Sequence, residues 1–254
     1  MANFTLVSTL LSTSLAITYS LPGQTTAAND RPVSWKLLLP NILDDQERIW
    51  SFPVRLAQGQ SLIPTAAVLG GTAALITFDP AVSSYFHGSS TFNGFNRIFT
   101  SDATVVGSVA APVSLYLAGR IRHDSKMQAT ALLAGEAVAD AEILTTFLKD
   151  TTRRVRPAAV PAKGNYWDTW FESGGSLVRG SGSFPSGHTI AAFSVATVIS
   201  RRYGHRHRWV PYAAYGGAAL VGLSRLSLSA HFTSDVFMGG ALGYSIGRFT
   251  VLRQ

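Results

Sequence analysis

Three short stretches of the chain carry residues that could do chemistry together. The first, KDTTRRVRP at residues 149–157, sets Lys149 and Arg156 seven positions apart, which on a helix returns to nearly one face, with Pro157 to end that helix. An arginine fork and a lysine point charge suit the oxygens of phosphate, although a solvated basic helix end fits this stretch taken alone. The second is PSGH at residues 185–188, followed by an apolar helical run. Pro185 fixes the entry, and Ser186 and Gly187 fall where a helix begins, so unpaired amides and a partial positive charge offer an anion site within reach of His188. A serine cap with an incidental histidine is the favoured reading of that stretch by itself. The third, SRLSLSAHFTSD at residues 224–235, opens with Ser224 and Arg225 and places His231 and Asp235 four apart. On a helix that carboxylate can hold one imidazole nitrogen and leave the other free as nucleophile or base. A buried histidine satisfied by an aspartate is the plain alternative for the pair. Three such clusters at alternate helix ends are much harder to dismiss than any one.

These clusters are positioned by apolar runs. The chain has 254 residues, enough for one domain or a compact bundle of membrane spans, and only 14% of them are charged. Runs rich in Ala, Gly, Val and Leu recur at residues 62–79, 103–119, 129–148, 188–200, 211–223 and 235–247, and no strand alternation of any length intervenes. The expected fold is therefore all-α, a bundle of about six core helices that crosses the membrane and carries the site at one end; a soluble secreted bundle is the alternative. An 18-residue helix spans about 27 Å, and the first run reaches that length. Glu136, Asp140 and Glu142 in the third run would be costly against lipid and are expected to point into the bundle or toward water, where they could neutralise the basic site.

The 21 lysines and arginines outnumber the 14 aspartates and glutamates, so an anionic partner is plausible. There is no cysteine, which excludes disulfides, thiolate zinc sites and cysteine nucleophiles. Two short basic loops, GRIRHDSK at 119–126 and RRYGHRHR at 201–208, are separated by two runs and fall on one side, cytoplasmic by the positive-inside tendency. Alternation then puts residues 149–187 and 224–235 together on the extracytoplasmic side. Residues 1–27 read as a signal-like or anchor segment, 28–60 as a polar segment of unassigned role containing a short amphipathic helix, and 61–254 as the helical-bundle domain. Cleavage of a signal at the start would place the next segment outside and reverse the topology, unless the run at 62–79 does not span or the bundle is soluble.

Lys149, Arg156 and Pro157, then Pro185 to His188, then Ser224, Arg225, His231 and Asp235 together resemble the tripartite signature of the type 2 phosphatidic acid phosphatase superfamily, with every position filled in order. The resemblance covers the C-terminal 60% of the chain and leaves residues 1–60 unexplained. It implies that Lys149, Arg156 and Arg225 hold phosphoryl oxygens with Ser186 and the Gly187 amide. His231 would attack phosphorus to give a phosphohistidine, Asp235 would orient its ring, and His188 would protonate the leaving alkoxide and then activate water. Pro157, Pro185 and Ser224 would be structural members of the motifs. Three fixed cations can neutralise the equatorial oxygens, so no metal and no cofactor is expected. Trp167, Trp170 and Phe171 could wall the substrate side, lie at the membrane interface, or simply pack over the bundle end.

The resemblance points to hydrolysis of phosphomonoesters or diphosphates, of phosphatidic-acid-like lipids or polyprenyl diphosphates in a membrane setting, with no nucleic-acid partner. Alternatives are a soluble secreted non-specific acid phosphatase, a vanadate-dependent haloperoxidase sharing the pocket, and a catalytically silent membrane scaffold or lipid transporter. The intact set of two histidines, one aspartate and three cations argues against the last.

Overall fold

The structure, a computed structural model, describes residues 31–161, 163–172 and 180–253. The signal-like or anchor segment expected at 1–27 lies outside the described residues. All regular structure among the described residues is helical, in the order α1 (Leu38–Trp50), α2 (Phe52–Ala57), α3 (Leu62–Phe86), α4 (Asn93–Ile98), α5 (Ser101–Ile121), α6 (Ser125–Thr152), α7 (Gly187–Tyr203), α8 (Val210–Ser227) and α9 (Thr233–Ser245). Each of the six apolar runs falls within or across one of the long helices, so the all-α expectation holds.

Local sequence sets several boundaries. The Thr100 hydroxyl accepts from the Ala103 amide at 3.1 Å and Asp124 accepts from Met127 at 2.9 Å, capping α5 and α6. Pro211 sits in the first turn of α8, where its missing N–H is no loss. The helix α3 runs past Asp79 and through Pro80 to Phe86, seven residues beyond the apolar run that marks it in the sequence. The helix α6 stops at Thr152 because Arg153 adopts a left-handed conformation, φ 41°. Arg156 is therefore on extended backbone beyond the helix, not on the same helical face as Lys149.

The core is a seam of small and branched side chains between α6, α7 and the turn that follows α9: Leu133, Ala137, Leu144, Ile190, Val198 and Val251 are all buried. Gly239, Gly243 and Gly247 recur every four residues and let the α9 strip lie directly on α7. A methyl on Gly239 would stand 2.8 Å from the Ser186 carbonyl oxygen, one on Gly247 2.7 Å from Thr197 Cβ, and one on Gly243 would run into the Ile190 carbonyl. Gly243→Ala should thus cost about 1–3 kcal/mol of stability. A melting temperature equal to that of the parent protein would contradict this packing.

The ends of the bundle are chemically distinct. Where α7 finishes beside the start of α6, Arg202 Nε donates to the Thr130 hydroxyl at 2.9 Å and Lys126 Nζ lies 4.9 Å from the Tyr203 ring centre. Both basic loops are at this end. The 17 residues of α7 carry the chain roughly 25 Å to the other, where α6 ends and α7 begins. Among the described residues, two helices are long and apolar enough to cross a membrane by length and composition, Leu62–Phe86 and Ser101–Ile121, and their apolar side chains are largely exposed.

Two of the α6 carboxylates, Glu136 and Asp140, are committed away from the site end of the bundle. Arg31 pairs with both Asp45 and Glu136, Asn41 donates to Glu136 at 2.8 Å, and Gln46 donates to Asp140 at 2.9 Å. Glu136 lies thirteen residues before Lys149 on α6, about 20 Å along the axis, and Glu142 is exposed. Glu136 and Asp140 are thus the acceptors that dock the 31–50 segment, which corrects the expectation that they neutralise the site.

Candidate active site

The three sequence stretches meet where α6 ends and α7 and α9 begin. Ser186 precedes α7 on extended backbone, φ −74° and ψ 103°, and its amide donates to the Asp235 carbonyl at 3.1 Å. Gly187 opens α7, and a methyl there would meet Thr145 Cγ2 at 2.9 Å and come within 3.7 Å of Lys149 Nζ. The absence of a side chain at Gly187 thus lets α7 start close against Thr145 of α6, which leaves the lysine head group near the helix start with its free amides and positive dipole end. The Phe184–Pro185 bond is cis.

His231 lies on the loop just before α9 and is 2% exposed. Its Nδ1 is 2.7 Å from the Ser183 carbonyl oxygen, so Nδ1–H donates to that carbonyl and Nε2 carries the lone pair. Among the described residues Nε2 makes no hydrogen bond. Burial pushes the ring below the ordinary histidine range, while the neighbouring Asp235 charge works in the opposite direction. The result is a neutral imidazole with one nitrogen tethered and the other available, which is the form a nucleophile needs.

Asp235 makes no direct hydrogen bond to this ring, although its charge lies beside it. Its Oδ2 is 3.7 Å from Nδ1, too long for a hydrogen bond, because His231 precedes the first turn of α9 and the four-residue spacing is not helical there. The carboxylate instead accepts from the Ser183 hydroxyl, from the Phe232 amide at 2.8 Å and from Arg154 Nη1 at 2.6 Å. Arg154, 2% exposed, also donates to Asp79 on α3 at 2.7 Å and to the Ser234 hydroxyl at 2.8 Å, and its plane packs on Trp170 and Phe232. Removing its charge would leave two buried carboxylates facing each other, a loss on the order of 3–5 kcal/mol.

The remaining positions are spread around this centre. Arg156 is partly exposed and reaches the Ser181 carbonyl at 3.5 Å, while Pro157 is buried at the start of a 3-10 turn, residues 157–159. Ser186 Oγ is buried 2.8 Å from the Thr189 hydroxyl and its amide is taken up by the Asp235 carbonyl, which leaves the amides that follow it at the start of α7 to face the site. Arg225 is fully buried, with Nη2 donating to the Phe99 carbonyl at 2.6 Å and to Thr104 at 3.0 Å, and Nη1 to the Ser101 hydroxyl at 3.2 Å. Ser224 accepts from Arg225 Nε at 3.1 Å and donates to the Val221 carbonyl, which fixes the guanidinium plane. His188 Nε2 lies 3.3 Å from the Ser101 carbonyl. Of the aromatic trio, Trp170 packs against Arg154 and Phe184, whereas Trp167 and Phe171 are more than half exposed.

The sequence reading did not single out Arg154, Ser183, Asp79 or the Phe99–Ser101 turn. Arg154 lies inside the first stretch, at RRVRP, and Ser183 two residues before Pro185 of the second, so proximity to the motifs is the signal that the sequence carries for both.

Comparison with known proteins matches residues 130–254 to the PAP2 superfamily. Those residues are a PAP2 superfamily domain. The PAP2 domain thus takes in α6 from its first turns, α7, α8 and α9, and with them every motif residue named above. Curated relatives of the chain include the lipid A 1-phosphatase of Porphyromonas gingivalis, 43% identical over 65 residues, which are 26% of this chain and 15% of that one. The lipid A 4'-phosphatase of the same organism is 31% identical over 108 residues, 42% of this chain and 43% of the relative. Phosphatidylglycerophosphatase B of Bacillus subtilis is 33% identical over 108 residues, 40% of this chain and 46% of the relative. The similarity therefore spans less than half the length of each of these relatives. The crystal structure of a transmembrane PAP2 type phosphatidylglycerolphosphate phosphatase from Bacillus subtilis aligns over 82% of this chain and 94% of its own, at 22% identity and a TM-score of 0.42.

Proposed function

We propose that this protein is a metal-independent phosphatase that hydrolyses phosphomonoesters or diphosphates of membrane lipids through a phosphohistidine on His231. The observation that carries this reading is the tethered, neutral His231: Nδ1–H on the Ser183 carbonyl, Nε2 open, and the Lys149 head group beside the start of α7. In the first step the Nε2 lone pair forms an N–P bond as the P–O bond to the leaving group breaks, and His188 gives its proton to the departing alkoxide. The imidazolium so formed keeps Nδ1–H on the Ser183 carbonyl and has the Asp235 carboxylate 3.7 Å away. In the second step His188 takes a proton from water as the water oxygen attacks phosphorus, the N–P bond breaks, and phosphate leaves with the ring neutral again. Lys149, Arg156, Arg225 and the amides at the start of α7 supply the charge that the equatorial oxygens require, with positioning and electrostatics rather than a metal as the source of rate.

A lipid substrate is favoured by a cavity of about 270 Å³ between α5, α7 and α8, lined mainly by alanine, glycine, valine and isoleucine residues together with Phe99 and Thr104. Because Phe99 and Thr104 also bind the Arg225 guanidinium, the apolar space abuts the cation end of the site. A hydrocarbon chain can occupy it while its phosphate meets the cations. The names of the relatives, lipid A phosphatases and a phosphatidylglycerophosphatase, agree with that class. We infer a multi-pass membrane protein with the site end extracytoplasmic and the basic loops cytoplasmic, in keeping with the charge difference between the bundle ends.

The test is phosphate release by the purified protein from phosphatidic acid, phosphatidylglycerol phosphate, undecaprenyl diphosphate and a water-soluble monoester, each with and without chelator. Faster turnover of at least one lipid than of the soluble ester, unchanged by chelator and inhibited by vanadate, is expected. Preference for the soluble ester would point to a secreted acid phosphatase, and loss of activity on chelation would reject the cation-only site.

A further inference from the structure

We infer that Arg154, braced by Asp79, is a positioning residue that acts on His231 through Ser183, and that Ser183 rather than Asp235 sets the tautomer of the nucleophile. The inference rests on the reading of His231 as nucleophile and adds a mechanism for how it is aimed.

Two links from Arg154 converge on Ser183. The Arg154 backbone carbonyl accepts from the Ser183 amide at 2.7 Å, fixing the peptide from one side. The Arg154 guanidinium binds Asp235 at 2.6 Å, and the same carboxylate accepts from the Ser183 hydroxyl, fixing the side chain from the other. With both ends of the residue held, the Ser183 carbonyl has one orientation, toward Nδ1 of His231. Asp79 completes the brace from α3: it accepts from Arg154 Nη2 at 2.7 Å and from the Ser234 amide at 3.0 Å, so the guanidinium cannot swing away from Asp235.

All of these groups are buried, Asp79 and Ser183 at 1% and 0% exposure, so water does not replace a lost partner cheaply. A carbonyl can only accept. At 2.7 Å it enforces Nδ1–H more strictly than the carboxylate at 3.7 Å, which favours the same tautomer only through its charge. Asp79 lies outside the three motifs and inside one of the two helices long and apolar enough to cross a membrane, so the aim of the nucleophile is tied to a helix that carries none of the reacting groups.

The experiment combines nitrogen-15 histidine spectra of the full-length protein in detergent with steady-state kinetics for Ser183→Ala, Arg154→Lys and Asp79→Asn. Ser183→Ala keeps the backbone carbonyl and removes only the hydroxyl link, so it serves even where a change at Arg154 prevents folding. In the parent protein without substrate, His231 should show the Nδ1–H tautomer. In the variants that tautomer should become mixed, and kcat should fall about 10- to 100-fold with KM within about twofold. An unchanged His231 tautomer and kcat in Ser183→Ala and Asp79→Asn would overturn the inference, as would a kcat loss in which His231 keeps its Nδ1–H tautomer. Because the tautomer is read in the free protein, its outcome stands apart from whether His231 is phosphorylated during turnover, which decides the underlying reading.

Discussion

Replacing His231 with alanine is expected to lower kcat by at least about 10^4-fold while the helical content stays close to that of the parent protein. The size follows from what the ring does. It is buried where the motifs converge and presents a nitrogen without a hydrogen bond, held by a 2.7 Å bond on the opposite nitrogen. The cations and helix-end amides that remain would still bind a phosphate ester, so substrate affinity should change little and the loss should fall on turnover. Stability should fall by about 1–3 kcal/mol, because the buried Ser183 carbonyl loses its partner. Measured kcat and KM for the variant check this directly; turnover within about tenfold of the parent would remove His231 from the nucleophile role.

His188→Ala should separate the two chemical steps. In the proposed cycle His188 is acid in the first and base in the second. For a substrate with a good leaving group the first step needs the acid least, so the variant should phosphorylate itself at a rate closer to the parent and then hydrolyse about 10^2- to 10^4-fold more slowly. Rapid-quench measurement should show a burst of one leaving group per active site followed by slow turnover, with the phosphoenzyme accumulating. The position of His188 in the first turn of α7, with Nε2 3.3 Å from the Ser101 carbonyl at the start of α5, puts it on a different element from the nucleophile. Its removal therefore leaves the His231 tether intact. A His188→Ala protein that turns over at the parental rate would reject the acid and base assignment.

The sequence made the helices legible because each buried face is written in small and branched apolar residues, and it made the site legible because the three motifs fall at alternate helix ends. What it hid came from assuming that helices continue where the chain leaves them. Lys149 and Arg156 look like neighbours on one helical face, but the left-handed Arg153 ends α6 between them and sends Arg156 onto a separate segment. His231 and Asp235 look like a helical pair, but α9 starts at Thr233, so the histidine turns to the Ser183 carbonyl, forty-eight residues away in sequence. Asp79 and Pro80 look like the end of a helix, yet α3 runs on to Phe86 and makes that aspartate a buried partner of Arg154. Glu136 and Asp140 look like counter-charges for a basic site because spacing along α6 does not show that Arg31, Asn41 and Gln46 reach them first. In each case the partner comes from a distant segment, and pairwise spacing carries no trace of it.

The central claim is that phosphorus is transferred to Nε2 of His231. Quenching the purified protein at alkaline pH during turnover of a phosphorylated lipid, where phosphohistidine survives, and mapping the modified peptide by mass spectrometry tests it most directly. The account predicts one phosphoryl group on the peptide containing His231, acid-labile and base-stable, enriched in His188→Ala and absent from His231→Ala. A phosphoryl group on another residue, or turnover with no phosphorylated peptide in His188→Ala, would contradict it.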